Sequence, residues 1–317
     1  MRTVHLPTVD DVVAARDVID RHLTPTPIIS SAGLGSVVLK VETLQPTGSF
    51  KVRGALVAVA REHARPIVTA SAGNHGLGVA YAATEYGASA TIVIPTNASS
   101  VKRAALESFA VELVAAGESY DEAESHALEL AARGAHFISP YNDPDTIAGQ
   151  GTIALELFDQ MPEVRQIVVP IGGGGLISGI GLASTLRRDV RVIGVQAAAS
   201  PAMAAALDGV SSIDVQPTLA DGLAGNLEDG TITIELTRRH VAEIVDVSED
   251  EIASAVAFLS TRHGLVAEGS AAVGIAALLH GKIDADQPTA VIVTGRNIAP
   301  STYIDILMRE AGGPPPH

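Results

Sequence analysis

Short runs of β-branched and aliphatic residues recur along the chain, separated by longer alanine-rich stretches. The runs are VVLKVE from Val37, PIVTA from Pro66, ATIVI from Ala90, VELV from Val111, QIVVPI from Gln166, RVIGVQ from Arg191 and AVIVT from Ala290. Several are apolar at consecutive rather than alternate positions, as in strands covered on both faces. The intervening stretches suit helices, so the alternation predicts βα units and mainly parallel sheets flanked by helices. Helix boundaries are legible too. Thr8 precedes an acidic first turn at Asp10 and Asp11, Ser248 and Glu251 form a capping box before IASAVAFLS, and Gly264 stops that helix. No internal repeat is present, and low complexity is confined to the GGPPPH tail.

Glycine-rich or polar segments follow three of the runs: SAGNHG after PIVTA, GGGG after QIVVPI, and TGRN after AVIVT. Ligands of open α/β sheets bind at the carboxyl ends of the strands. The three loops therefore point to one shared cleft.

Composition narrows the chemistry. Of 317 residues 47% are hydrophobic, enough for a full core, and none is cysteine. Disulfides, thiolate metal sites and cysteine nucleophiles are thereby excluded, and a reducing compartment is expected. Lys and Arg number 21 against 36 Asp and Glu, a formal charge of −15 with no basic cluster, so nucleic acid is not an expected partner. The N-terminal segment is charged and amphipathic without a signal core, and no apolar run reaches the ~18 residues of a membrane span. A cytoplasmic location without a membrane partner is the resulting expectation.

Four segments carry candidate chemistry. In TGSFKVRGA, Lys51 alone reads as an exposed helix residue, but a buried lysine has a lowered pKa and can form a Schiff base with an aldehyde cofactor. In SAGNHG, the small residues Ser71, Ala72 and Gly73 expose backbone N–H groups to a carboxylate or phosphate. There Asn74 adds a side-chain amide and His75 reads as orienting rather than basic. Gly172, Gly173, Gly174 and Gly175, followed by Leu176, cost backbone entropy without packing return, which a close approach to a phosphate would justify. No G-x-G-x-x-G register fits, and no Lys-Ser/Thr follows Gly179, so neither a dinucleotide fingerprint nor a P-loop is present. Thr294, in TGRN, reads as a strand-end cap or as a neutral hydroxyl facing a ligand. Residues and spacing alone indicate a phosphate-bearing cofactor in an α/β cleft.

Taken together and in order, LKVETLQPTGSFKVRGA, TASAGNHG, PYNDPDTIAGQGTIALEL, PIGGGGL, TLADGLAG and VAEGSAAVGIAALL resemble the segments of fold-type II pyridoxal-phosphate (PLP) enzymes, in the serine/threonine dehydratase and serine racemase group. The resemblance runs from about Thr24 to about Asn297. It implies a two-domain, tryptophan synthase β-like fold with PLP in the cleft. The larger PLP-binding domain is expected at 1–60 and 140–317 and a small α/β domain at 61–139, the second boundary lying in the Ser139-Pro140 loop. Lys51 becomes the Schiff-base lysine and α-proton base, Gly172 to Gly175 with Leu176 the phosphate loop, and Asn74 the partner of the ring hydroxyl. Phe50 lies against the ring, Thr294 meets the pyridine nitrogen, and the turn of Ser71, Ala72, Gly73, Asn74 and His75 holds the substrate carboxylate.

The implied reaction is β-elimination of L-threonine or L-serine to a 2-keto acid and ammonia, by a homo-oligomer (dimer or tetramer). The alternatives on the same scaffold are a 3-hydroxyaspartate dehydratase and a serine racemase; a non-catalytic PLP-binding protein is a further one. Racemases of this group carry a serine where this chain has Ala72, which argues against racemisation. Three departures from the family pattern stand out. Ser31 to Val38 is short, Gln196 stands where metal-binding members carry a glutamate, and the chain stops at His317. The second leads to an expectation of no divalent metal, and the third to one of no feedback domain.

Overall fold

The computed structural model describes residues 4–312; all but the first glycine of the GGPPPH tail lies outside the described residues. Among the described residues ten strands are formed: β1 (Ile28–Ser30), β2 (Val37–Val41), β3 (Ile67–Ala70), β4 (Ala90–Ile94), β5 (Glu112–Ala115), β6 (His136–Phe137), β7 (Gln166–Pro170), β8 (Arg191–Ala197), β9 (Glu243–Val247) and β10 (Thr289–Val293). The α-helices are α1 (Val9–His22), α2 (Lys51–Glu62), α3 (Asn74–Tyr86), α4 (Ser100–Glu107), α5 (Tyr120–Ala132), α6 (Pro144–Gln160), α7 (Gly175–Ser184), α8 (Ala202–Leu207), α9 (Ile232–His240), α10 (Glu249–His263), α11 (Gly269–Leu279) and α12 (Pro300–Glu310).

All seven apolar runs are strands, and two sheets result. One has six strands in the order β1-β2-β10-β7-β8-β9, the other four in the order β5-β4-β3-β6. Every pairing is parallel except β1 with β2. The last strand inserts in the middle of the larger sheet, with Val291 beside Leu39 on one side and Val168 on the other. Residues of β3, β7 and β10 are buried throughout, which is why their sequences do not alternate. Each fully buried aliphatic side chain contributes roughly 1.5–3 kcal/mol relative to exposure.

Helices follow the same logic. All ten residues of α7 are buried, and α11 lies on β7, β8, β9 and β10 with ten of its eleven residues buried. Both are apolar all round because no face meets water. The capping box at Ser248 and Glu251 forms, as does one at Thr8 and Asp11, and Gly264 adopts the left-handed conformation that ends α10. Helix α2 is wedged between α3 and α6. Its crossing with α6 is so close that a methyl group at Gly149 would lie 2.7 Å from the Gly54 Cα. That packing carries Lys51, the first residue of α2, to a fixed place beside the cleft.

Under α2 lies a charge quartet. Arg53 and Lys40 are fully buried, and they pair with Glu42 and Glu156, which are buried as well. Among the described residues no helix is long and apolar enough to cross a membrane.

Candidate active site between the two sheets

A cavity of about 870 Å³ opens at the carboxyl ends of β3, β7 and β10. Four walls carry the residues expected from the sequence to hold cofactor and substrate, and all of these reach it. Phe50 and Lys51 form one; Ser71, Ala72, Gly73, Asn74 and His75 the second; Gly172 to Gly175 with Leu176 the third; and Thr294 the fourth.

The first and fourth walls are joined through the backbone. Phe50 N–H donates to the Thr294 carbonyl (3.0 Å), Arg296 N–H to that of Gly48 (2.9 Å), and Ser49 pairs with Gly295. The Asn297 amide donates to the Thr47 carbonyl (2.8 Å) and to Asn74 Oδ1 (2.6 Å), tying in the second wall. The side chain of Thr294 is thereby held at the end of β10, almost wholly buried yet lining the cavity.

Lys51 Nζ donates to the Pro140 carbonyl (2.9 Å) and lies 5.3 Å from the centre of the Phe50 ring. Removal from water disfavours its charged form and draws its pKa down to about 8, although nearby Glu268 opposes the shift. His75 Nε2 bears the hydrogen, because its partner at 3.1 Å is the Ile138 carbonyl, which only accepts. Burial, with repulsion from Lys51, lowers this imidazole to about 3, so it is neutral. Its Nδ1 is buried without a partner among the described residues. A ring so reluctant to accept a proton orients the turn rather than acting as a base.

The glycine loop leaves β7 and starts α7. The N–H groups of residues 172 to 177 find no acceptor among the described residues, while the Ser178 N–H begins the helical ladder by donating to Gly174. Thr233 Oγ1 donates to the Gly173 carbonyl (2.8 Å) and so fixes the orientation of the loop. None of the four glycines has room for a side chain, a methyl at Gly172 or Gly175 lying 2.7 and 2.9 Å from the Cα of Leu223 and Tyr141. Gly174 has φ +85°, and a methyl at Gly173 would sit 2.4 Å from the ring of Tyr141. A row of unpaired N–H groups at a helix start is a receptor for a phosphate.

Several lining residues carried no local signal of function. Tyr141 packs on the glycine loop, and its hydroxyl accepts from the Glu228 N–H (2.8 Å). Glu268 Oε1 accepts from the Asn74 amide (2.8 Å). Burial, reinforced by Asp221, pushes the Glu268 carboxyl up to about 7 against the hydrogen bonds from Asn74 and the Asn297 backbone. The Asn74 amide is thus oriented by a carboxyl group 194 residues away in the sequence. Within the VAEGSAA segment only the glutamate itself, placed before an apolar helix, could have drawn attention.

Gln196, singled out for its place in the sequence, lies away from this cavity. Its amide donates to Asp246 Oδ1 (2.8 Å), and its carbonyl accepts from the Ala204 N–H (3.4 Å).

The profile of the family described as "Pyridoxal-phosphate dependent enzyme" matches residues 19–295. An L-threonine ammonia-lyase of Thermotoga maritima is 44% identical over 280 residues, 86% of this chain and 69% of the relative. The catabolic L-threonine dehydratase of Escherichia coli K12 is 37% identical over 313 residues, 93% of this chain and 95% of the relative. Among solved structures, maize serine racemase shares the fold with a TM-score of 0.88 and 29% identity, covering 97% of this chain and 99% of that one. The matched span takes in all four walls of the cavity, from the lysine at the head of α2 to the threonine at the end of β10, and the chain belongs to the pyridoxal-phosphate-dependent enzyme family.

Proposed function

We propose that this protein catalyses β-elimination of water from L-threonine or L-serine, the released unsaturated amine hydrolysing to a 2-keto acid and ammonia. The observation that carries the reading is a single one: the Lys51 amine, its pKa drawn down to about 8 by burial, shares one cavity with the unpaired N–H groups of the glycine loop. That pairing fits pyridoxal 5'-phosphate, which needs an amine for its aldehyde and donors for its phosphate. When bound, the cofactor supplies the aldehyde with which amines condense and the electron-withdrawing ring that makes a substrate α-proton removable.

The chain's own residues then have assignable parts. Gly172 to Gly175 and Leu176 would hold the phosphate, Asn74 the ring hydroxyl, and Phe50 one side of the ring. Lys51 would bond the aldehyde and, once displaced by the substrate amine, take the α-proton. Its lowered pKa suits that part, because the neutral amine is populated near physiological pH. Thr294 would offer the ring nitrogen a neutral hydroxyl rather than a carboxylate, which favours prompt loss of the β-hydroxyl over transamination. The N–H groups of the Ser71–His75 turn would orient the substrate carboxylate; Ser71 Oγ already accepts from the Gly73 N–H (3.1 Å) and stiffens that turn. Ala72 contributes only a methyl group, so no second acid/base faces the α-carbon from that position.

The reading includes a cytoplasmic homo-oligomer, with residues 61–139 as a smaller domain beside the larger one; light scattering of the purified protein tests the assembly. The activity is tested with a panel of hydroxy-amino acids read out as keto acid formed. Lys51→Ala is expected to abolish turnover, and borohydride reduction followed by peptide mass spectrometry to place the cofactor on Lys51. Cofactor found on Lys40 or Lys102 would overturn the assignment.

A further inference from the structure

The reaction proposed above leaves the substrate side chain open: a 3-hydroxyaspartate carries a second carboxylate where threonine carries a methyl group. The charges around the cavity discriminate between the two. Asp121 and Glu124 reach it from α5, Asp221 and Glu228 from the loop before α9, and Glu268 from the start of α11. Against these five, of which Glu268 is partly protonated near neutral pH, the only cationic side chains among the described lining residues are Lys51 and Lys102. Lys51 is committed to cofactor and α-proton in the proposed reaction. Lys102 Nζ lies 3.7 Å from the Asp221 carboxylate, so its charge is already met. His75 is neutral, and the donors of the glycine loop would be taken by the phosphate, itself a further anion.

Resting on the function proposed above, we propose that the substrate pocket is charge-selective. It accepts hydroxy-amino acids with neutral side chains and excludes those with anionic ones, and Asp121, Glu124 and Asp221 set the exclusion. Two like unit charges about 8 Å apart, in a medium intermediate between water and protein interior, weaken binding by a factor on the order of five, and less where they are as exposed as Asp121 and Asp221. Several such carboxylates together give tenfold or more, by repulsion of the wrong ligand rather than added attraction for the right one. Asp221 acts through its pairing with Lys102, the lysine that would otherwise receive the incoming carboxylate.

L-Asparagine and L-aspartate are the probes, being nearly identical in shape, different in charge, and without a β-hydroxyl to eliminate. Their binding to the holoenzyme is read at low salt from the change in visible absorption, independently of turnover. Asparagine is expected to bind roughly tenfold or more tightly than aspartate, with the gap shrinking as salt is added. Asp221→Asn should narrow the gap to about threefold, because it removes one charge and frees Lys102. Glu124→Gln, which keeps an acceptor for the Tyr120 hydroxyl, should narrow it in the same direction. Equal affinities in the parent enzyme, or a gap that neither folded variant changes, would overturn the proposal. In parallel, kcat/KM is measured for L-threonine and L-threo-3-hydroxyaspartate. Good threonine turnover with no preference for asparagine sinks the charge filter alone; a strong preference without turnover of threonine or serine sinks the functional reading alone.

Discussion

Replacing Arg53 with methionine perturbs the charge quartet that underlies the lysine helix, two residues along α2 from Lys51. Arg53 Nε and Nη2 each donate to Glu42 at 2.8 Å, Nη1 and Nη2 to Glu156 at 2.6 and 2.9 Å, and Nη1 also to Thr152 at 3.3 Å. Lys40 Nζ balances the set, donating to Glu156 at 2.5 Å and to the Thr26 carbonyl at 2.7 Å. Methionine fills similar space but leaves Glu42 with only Thr26 Oγ1 (2.6 Å) and the Gln45 amide (3.1 Å). Removing one partner of a buried pair costs about 3–5 kcal/mol, a large share of the roughly 5–15 kcal/mol that holds a domain folded. The loss should also depend on pH. In the parent protein burial pushes the Glu42 carboxyl up, but Arg53, joined by Lys40 and the Thr26 hydroxyl, more than offsets this and holds it below the usual carboxylate value. Its contribution to stability is therefore present above the unfolded pKa, ~4.3, and is lost as pH falls through the folded one. Without Arg53 burial dominates, the folded pKa lies above the unfolded one, and the penalty grows as pH rises between them. Urea unfolding followed by circular dichroism, at fixed cofactor concentration, should show a larger loss at about pH 8 than at about pH 5. The double variant Arg53→Met with Glu42→Gln should recover about 1–3 kcal/mol by removing the stranded charge. A single-variant loss below about 1 kcal/mol, or one equal at both pH values, would refute the reasoning.

Gly173→Ala drives a methyl group into the Tyr141 ring and displaces the loop; cofactor affinity, titrated into resolved apoprotein, should fall by roughly tenfold or more, and an unchanged Kd would count against the loop's assigned part. In the cofactor-free protein, modification of Lys51 by an amine reagent should speed up as pH rises through about 8, where the cation loses its proton. A midpoint near ~10.4, the ordinary lysine value, would mean that the amine is not desolvated. Dialysis against EDTA should leave activity unchanged at fixed K⁺, because the family resemblance puts Gln196 where a metal-binding carboxylate is expected and hard divalent ions need anionic oxygens; a loss restored by Mg²⁺ would show that Asp221, Glu268 or other carboxylates supply them.

What the sequence determined by itself is what short-range physics controls. Consecutive apolar residues marked β3, β7 and β10, because a strand covered on both faces cannot alternate. Thr8, Ser248, Glu251 and Gly264 marked helix ends, because unpaired backbone groups there need a nearby side chain or a left-handed residue. The four glycines and Lys51 stood out because their cost, or their chemistry, shows at their own positions. Strands β1, β6 and β9 were not legible. They are three, two and five residues long, partly exposed, and each is made a strand by hydrogen bonds to β2, β3 or β8 rather than by its own pattern. The insertion of β10 between β2 and β7 is likewise a matter of pairing across the whole chain. Only the tertiary structure decided that Lys40, an ordinary-looking strand lysine, is buried beside Glu156, that Tyr141 braces the glycine loop, and that Glu268 orients Asn74. Local signals depend on backbone sterics and neighbours within a turn or two. Desolvation, charge pairing and the resulting proton affinities depend on groups brought together from well apart in the chain, 11 residues for Arg53 and Glu42 and 194 for Asn74 and Glu268, and no stretch of sequence records them.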